Sequence, residues 1–262
     1  MSPVSGVVTT GACHAPSTSS ILVQVKFPSK VRSAIFTNFH TELCIECMID
    51  NIFGNISRKE IKAYSDYWKS IAPKTDDEIF RRWLFAYTSI HTNWEGNVRG
   101  YNAIKNVDLW KDDKEKLRQL LIDAKCGLHN NRTDYIWAFK ELFYANPKMF
   151  RKKRNESWVE MRDRLMKSCR GIGIAKVSFT LEMCYPHLAE VTCLDTHMIQ
   201  LYGLPLQKFD NGKGYKMYRE HEEDWINRSK AVGASSYIAR AIFWDRKQNQ
   251  PDSRYWSYVL EA

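Results

Sequence analysis

Residues 165–203 read LMKSCRGIGIAKVSFTLEMCYPHLAEVTCLDTHMIQLYG and hold the side chain best suited to chemistry, Asp195. Asp195 follows apolar Leu194 and precedes Thr196, His197 and Met198, a pattern that opens a short helix. A carboxylate there caps the free N–H groups of the first turn, which is its ordinary use. At the mouth of a cleft, the same carboxylate stabilises positive charge growing on a sugar as its base departs. It can also take the proton of an attacking water or amine. The two roles are compatible. Lys176, in the helix before it, reads from its own residue type as a cation facing solvent or a phosphate.

Two features must position these groups. Gly171-Ile172-Gly173 lies between two helical patterns, 158–168 and 174–184. The glycines permit a tight hairpin whose backbone N–H groups point outward, at a helix N-terminus that favours a phosphate. Ile172 plugs this hairpin into the core. Lys167, Arg170 and Lys176 flank it and are placed to meet phosphates. By itself G-I-G also fits a plain connection between helices. The helix after Asp195 stops at Gly203.

The remaining chain supplies scaffold. Thr75-Asp76-Asp77-Glu78 is a capping box, and Ile79, Phe80, Trp83, Leu84 and Tyr87 behind it share one helical face. His91-Thr92-Asn93-Trp94 breaks that pattern, and helices are expected at 98–104, 114–124 (closed by Gly127) and 133–144. The stretch 208–215 reads as turns, followed by helices near 222–231 and 235–245. Tyr237, Arg240, Trp244, Arg246 and Lys247 give the last of these an aromatic and basic character, read as packing plus a wall of the substrate site. Residues 1–20 are small and polar and read as a loose arm; 21–27 reads as a short edge strand; 21–262 reads as a single domain.

Composition narrows the partner. There are 39 basic and 30 acidic residues, a net charge of +9, and the pI is near 9.1. Such a surplus draws polyanions, nucleic acid first and acidic membranes second, although a basic surface also serves solubility alone. The seven cysteines follow no disulfide framework and fit free thiols in a reducing compartment. Cys44-x-x-Cys47 sits in a helical pattern with no second pair, which reads as structural; no iron–sulfur cluster or other metal site is expected. No apolar run reaches membrane-spanning length and no signal peptide is evident, so the expected location is cytoplasmic.

The hairpin, the helix after it and the V-T-C-L-D-T-H-M segment resemble the helix-hairpin-helix DNA glycosylases, which include endonuclease III and the 8-oxoguanine glycosylases. Upstream, 83–104 resembles that family's paired helices with a base-pair wedge. Ala124–Leu128 with Asn130, Asn131, Arg132 and Tyr135 resembles its glycine-centred turn, and 75–203 carries the whole pattern. The resemblance implies a mostly α, two-lobed fold with a cleft, 204–262 completing the other lobe. It implies a monomer that uses no cofactor, flips a damaged or modified base out of double-stranded DNA, and cuts its N-glycosidic bond.

Asp195 matches the family's catalytic aspartate. The family's nucleophilic lysine, counted forward from the second glycine, falls on Ala175; counted back from the aspartate, it falls on Lys176. The two alignments differ by ~100° around a helix of ~3.6 residues per turn. The first implies attack by water, the second an amine and a lyase. The resemblance also implies Asn93 or Asn97 as the side chain inserted into the vacated stack, Trp94 and Trp137 as stacking residues, and His197 as a largely structural residue of the base pocket. Residues 33–72 and 204–262 follow no repair enzyme, which points to an unusual base, such as a bulky one in phage genomes. Two other functions fit the pattern. One is a phage-type transferase that attaches an amine to an activated thymine. The other is a DNA-binding module without chemistry.

Overall fold

The computed structural model describes residues 37–205 and 207–248. Eleven α-helices follow one another among them: α1 (Thr37–Gly54), α2 (Arg58–Ser70), α3 (Asp76–Thr88), α4 (Trp94–Ile104), α5 (Lys114–Asp123), α6 (His129–Ala145), α7 (Trp158–Ser168), α8 (Ile174–Cys184), α9 (Thr196–Leu201), α10 (Gly212–Ala231) and α11 (Ser236–Lys247). There are no strands among the described residues. The described residues from Phe39 onward form one compact unit. The arm at 1–20, the strand at 21–27 and the aromatic tail after 248 lie outside the described residues.

Local sequence fixes most helix starts. Ser57, Thr75 and Ser157 each close a capping box with Glu60, Glu78 and Glu160. Asn93, Asp113, Asp195 and Ser235 cap with a side-chain oxygen alone. Each such cap is worth about 1 kcal/mol. α3 is buried nearly all round, from Ile79 to Thr88, which marks it as a central helix. It packs against α4, α6 and α8. Phe80 stacks on Phe139 of α6 with ring centroids 5.0 Å apart, and Trp83 stacks on the same ring at 5.6 Å. A second cluster joins α2, α10 and α11 with α1: Trp68 meets Tyr237, and Phe53 meets Trp225, both at 4.7 Å.

Three helices start earlier than periodicity indicates. α4 begins at Trp94 because Asn93 caps it, accepting from Gly96 N at 2.9 Å. α10 begins at Gly212, inside the stretch expected to be turns. Its first half is Gly and polar residues apart from Tyr215, Met217 and Tyr218, too few apolar positions to show a period. α6 begins at His129, directly after a left-handed turn in which Lys125, Gly127 and Leu128 all have positive φ. That turn is held by Arg132, which is buried and donates to the carbonyls of Cys126, Gly127 and Ile90. One guanidinium thus ties the turn to the chain leaving α3.

Replacing Arg132 with Met strands those three carbonyls, each losing a charge-assisted bond. The expected loss is about 3 kcal/mol, or roughly 5–10 °C in Tm for a domain of this size. Thermal unfolding followed by circular dichroism checks it; an unchanged Tm would mean that water replaces the guanidinium.

Candidate active site

The hairpin between α7 and α8 forms because only glycine fits at Gly171. Its φ is +81°, and a Cβ there would collide with the Tyr135 ring. Tyr87 Oη donates to the Arg170 carbonyl at 3.2 Å, and Ile172 is buried. Arg170 and Lys167 are exposed beside the hairpin, with the Arg170 guanidinium 5.8 Å from the Tyr135 ring centroid. One feature departs from expectation: the N–H of Ile174, at the head of α8, is not open. It donates to Asp210 Oδ1 at 3.0 Å, and a Cβ on Gly173 would stand 2.9 Å from the same oxygen.

Asp195 sits at the end of a buried extended segment, 191–194. No sheet supports this segment, so side chains satisfy its backbone. Thr192 N donates to Glu222 Oε1 at 2.7 Å, Leu194 N to Tyr218 Oη at 2.9 Å, and Tyr218 Oη to the Thr192 carbonyl at 2.6 Å. Ser236 Oγ donates to the Val191 carbonyl at 3.0 Å, and Cys193 N bonds Glu182. Glu222 is fixed in turn by the fully buried Arg162, at 2.7 and 2.8 Å.

Asp195 Oδ1 accepts from His197 N at 2.9 Å and Met198 N at 3.1 Å, capping α9. Its Oδ2 lies 3.4 Å from Arg240 Nη1, and the side chain keeps 22 % of its surface exposed. It is therefore both oriented and reachable.

A cavity of about 300 Å³ opens here, at the lower end of the range for small-ligand sites. Asp195, Lys176, Phe179, Trp94, Trp244 and Arg240 all line it. Lys176 is the third residue of α8 and half-buried; Ala175 is not on the cavity wall. Among the described residues the Lys176 ammonium has neither a hydrogen bond nor an ion pair. Its nitrogen is 5.6 Å from the Phe179 ring centroid. Burial holds its pKa below the usual lysine value; Arg240 adds to this, while Cys193 and Asp195 oppose it. Burial pushes the Cys193 thiol up to about 12, so it stays protonated. A larger groove of about 720 Å³ elsewhere is lined by charges that pair with one another, Lys111 with Asp108 and Lys140 with Glu141. It holds no unpaired amine or nucleophile comparable to Lys176, so we place the site in the smaller cavity.

The other expected residues divide. Asn93 lines the cavity with its side chain committed to capping α4. Asn97 is buried in the wall, 4 % exposed, and does not project as a wedge must. Trp94 lines the cavity, 6.2 Å from Trp244. His197 also lines it, but its Nε2 meets Gln248 Nε2 at 3.0 Å instead of bonding backbone, and its Nδ1 is buried without a partner. Trp137 is corrected: it stands on α6 beneath the Lys140 ammonium, 3.6 Å from the ring centroid, away from the cavity. Phe179 was not anticipated there; its apolar neighbours in sequence mark it only as core.

The described residues, helical throughout with a glycine hairpin ahead of a capping aspartate, have the helix-hairpin-helix DNA glycosylase fold. The family model described as 8-oxoguanine DNA glycosylase matches residues 58–234, more than half of the chain, and the chain belongs to that family. The 8-oxoguanine DNA glycosylase of Thermotoga maritima superposes with a TM-score of 0.64 at 17 % identity, covering 80 % of this chain and 100 % of its own. That of Methanocaldococcus jannaschii gives 0.63 at 19 %, covering 80 % and 96 %. The latter's glycosylase/lyase in complex with a 15-mer DNA containing 8-oxoguanine gives 0.60 at 19 %, covering 79 % and 98 %. No curated protein matches the chain. At such identities the superpositions establish the fold.

The unpaired Lys176 has a consequence for stability. Because its folded pKa is depressed, the unfolded chain holds a proton that the folded chain gives up. Stability therefore rises with pH through the window between that pKa and the ordinary lysine value of about 10.4. Lys176→Met removes the buried cation. It is expected to raise Tm at pH 7 by about 2 °C and to flatten the rise toward pH 10, as calorimetry across pH would read. A lower Tm would mean that the ammonium is compensated.

Proposed function

We propose that this chain is a DNA glycosylase with accompanying lyase chemistry, acting on a damaged base of the 8-oxoguanine class flipped out of double-stranded DNA. The observation that carries the reading is the meeting of an oriented carboxylate, Asp195, and an unpaired amine, Lys176, on one small cavity. The family and the net charge of +9 supply the DNA. No helix among the described residues is long and apolar enough to cross a membrane.

The extruded base, costing a few kcal/mol of unstacking, enters between Phe179 and the Trp94–Trp244 wall. The Lys176 amine attacks C1′ of the sugar. A C1′–N bond to lysine forms as the bond to the base breaks, and the base leaves with the electron pair and takes up a proton. Asp195 stabilises the positive charge at C1′ and receives the proton shed by the attacking nitrogen. Ring opening then gives the imine, which water returns to an abasic site or elimination converts to a nick. The cavity of about 300 Å³ favours a bare base over a sugar-decorated one. A transferase would draw its amine from a substrate and has no use for the lysine.

Incubation with a duplex carrying 8-oxoguanine, followed by borohydride, is expected to trap a covalent complex that Lys176→Ala abolishes. Asp195→Asn is expected to slow base release by about 10²-fold or more. Base release that survives in Lys176→Ala without an adduct would overturn the amine mechanism in favour of water. Absence of release from 8-oxoguanine, with release from uracil, alkylated purines or enlarged pyrimidines in parallel duplexes, would overturn the substrate class.

A further inference from the structure

Arg240 lies at the centre of a buried charge group that the reaction above does not use. It stands on α11 and is 4 % exposed. Its Nε donates to both oxygens of Glu182 at 3.1 Å, and its Nη2 to Oε2 at 2.7 Å. The remaining arm, Nη1, reaches Asp195 Oδ2 at 3.4 Å. Phe179 and Tyr237 hold the guanidinium, each ring centroid 5.4 Å from Cζ. Glu182 is fully buried on α8, the helix that also carries Lys176. Burial pushes its carboxyl up to about 7, against the pull of Arg240 and the Cys193 N–H. Accepting the Cys193 N–H accounts for Glu182 and for a neutralising cation, but gives no reason for the arm of Arg240 turned to Asp195.

The neighbouring groups supply one. A carboxylate and an amine on the same small cavity attract each other and tend to collapse into an ion pair, which leaves the amine protonated and the carboxylate occupied. That collapse is absent here. Asp195 spends Oδ1 on the amides of α9 and turns Oδ2 to Arg240, while Lys176 has no ionic partner among the described residues. The groups facing Lys176 are Cys193 and Asp195 from the extended segment, His197 from α9 and Arg240 from α11. Asn93 and Asn97 of α4 are uncharged.

We propose that Arg240, anchored by Glu182, is a positioning residue that occupies Asp195 Oδ2 and so leaves the Lys176 amine unpaired and available as the nucleophile. This rests on the glycosylase/lyase reading. Glu182 sets the guanidinium's place, Arg240 sets the direction of the carboxylate, and the competition between two cations for one anion is settled in favour of the arginine, which cannot lose its proton.

The test uses a duplex with a preformed abasic site, on which Schiff-base formation needs no base removal. The rate of borohydride trapping is measured from pH 5 to 10. Wild type that traps no adduct at any pH overturns the underlying reading. If wild type traps, the Glu182→Gln/Arg240→Gln double variant, whose neutral amides can still bond each other, is compared with it. The midpoint of its rising limb is expected to move up by about one pH unit and its rate at pH 7 to fall about tenfold, with DNA affinity within about twofold. An unmoved midpoint overturns the inference. Arg240→Lys keeps the charge and stands in should the double variant fail to fold. It is expected to raise the midpoint, by no more than the neutral pair does, and to slow single-turnover release of an intact base, because the shorter arm holds Asp195 Oδ2 less well and lets it turn toward Lys176. A midpoint that stays at the wild-type value, or release at the wild-type rate, overturns it equally.

Discussion

Buried extended chain inside a helical protein is a problem of hydrogen bonding. Its N–H and C=O groups have no ladder to join, and an unpaired buried peptide group costs as much as a lost hydrogen bond. The segment ending at Asp195 meets this problem with side chains. Glu222, Tyr218 and Glu182 take the amides of residues 192–194, and Tyr218 and Ser236 donate to carbonyls. Everything about the site depends on this arrangement, because it sets where α9 begins and hence where its capping carboxylate stands. The helices that supply these side chains, α8, α10 and α11, are far apart in sequence, so the segment also locks them together.

The same need explains two buried ion pairs of different character. Arg162 and Glu222 are both fully buried, and Glu222 turns its carboxylate to a backbone amide. Glu182 and Arg240 repeat the pattern, but Arg240 has an arm left over for Asp195. Both carboxylates hold a backbone amide and a guanidinium together. The arginines neutralise acceptors that the segment requires, which is why charges of this kind persist in an interior that otherwise excludes them.

The parts of this design legible in sequence are those written within a few residues of one another. The capping box at Thr75 and the cap at Asp195 each depend on contacts over two or three positions, and the hairpin glycines on a turn between adjacent helices. Which of Ala175 and Lys176 faces the cavity was not legible. It turns on the rotation of α8, which packing against α3 and α7 decides. Glu182 and Arg240 were hidden for another reason. They are 58 residues apart, and each looks like an ordinary charge on its own helix. Trp137 shows the opposite error. Its residue type suited a stacking role, but α6 faces α3 and α5, and the large aromatic residues that line the cavity come from α4, α8 and α11. Even the start of α10 was obscured, since a helix that buries only a few side chains of its first turns leaves no period to read.

Asp210 gives the hairpin an unusual resting condition. The amide at the head of α8 already holds an anion from the protein's own chain. Under the proposed function, a backbone phosphate arriving there exchanges with a carboxylate rather than filling an open site. The contact energy is then a difference between two anions at one amide, smaller than either alone. Such an exchange also separates two kinds of encounter. A phosphate that merely passes along the basic surface gains nothing from the hairpin, while one held long enough to evict Asp210 changes the loop that carries it. Under that function the hairpin would weigh an external charge against an internal standard.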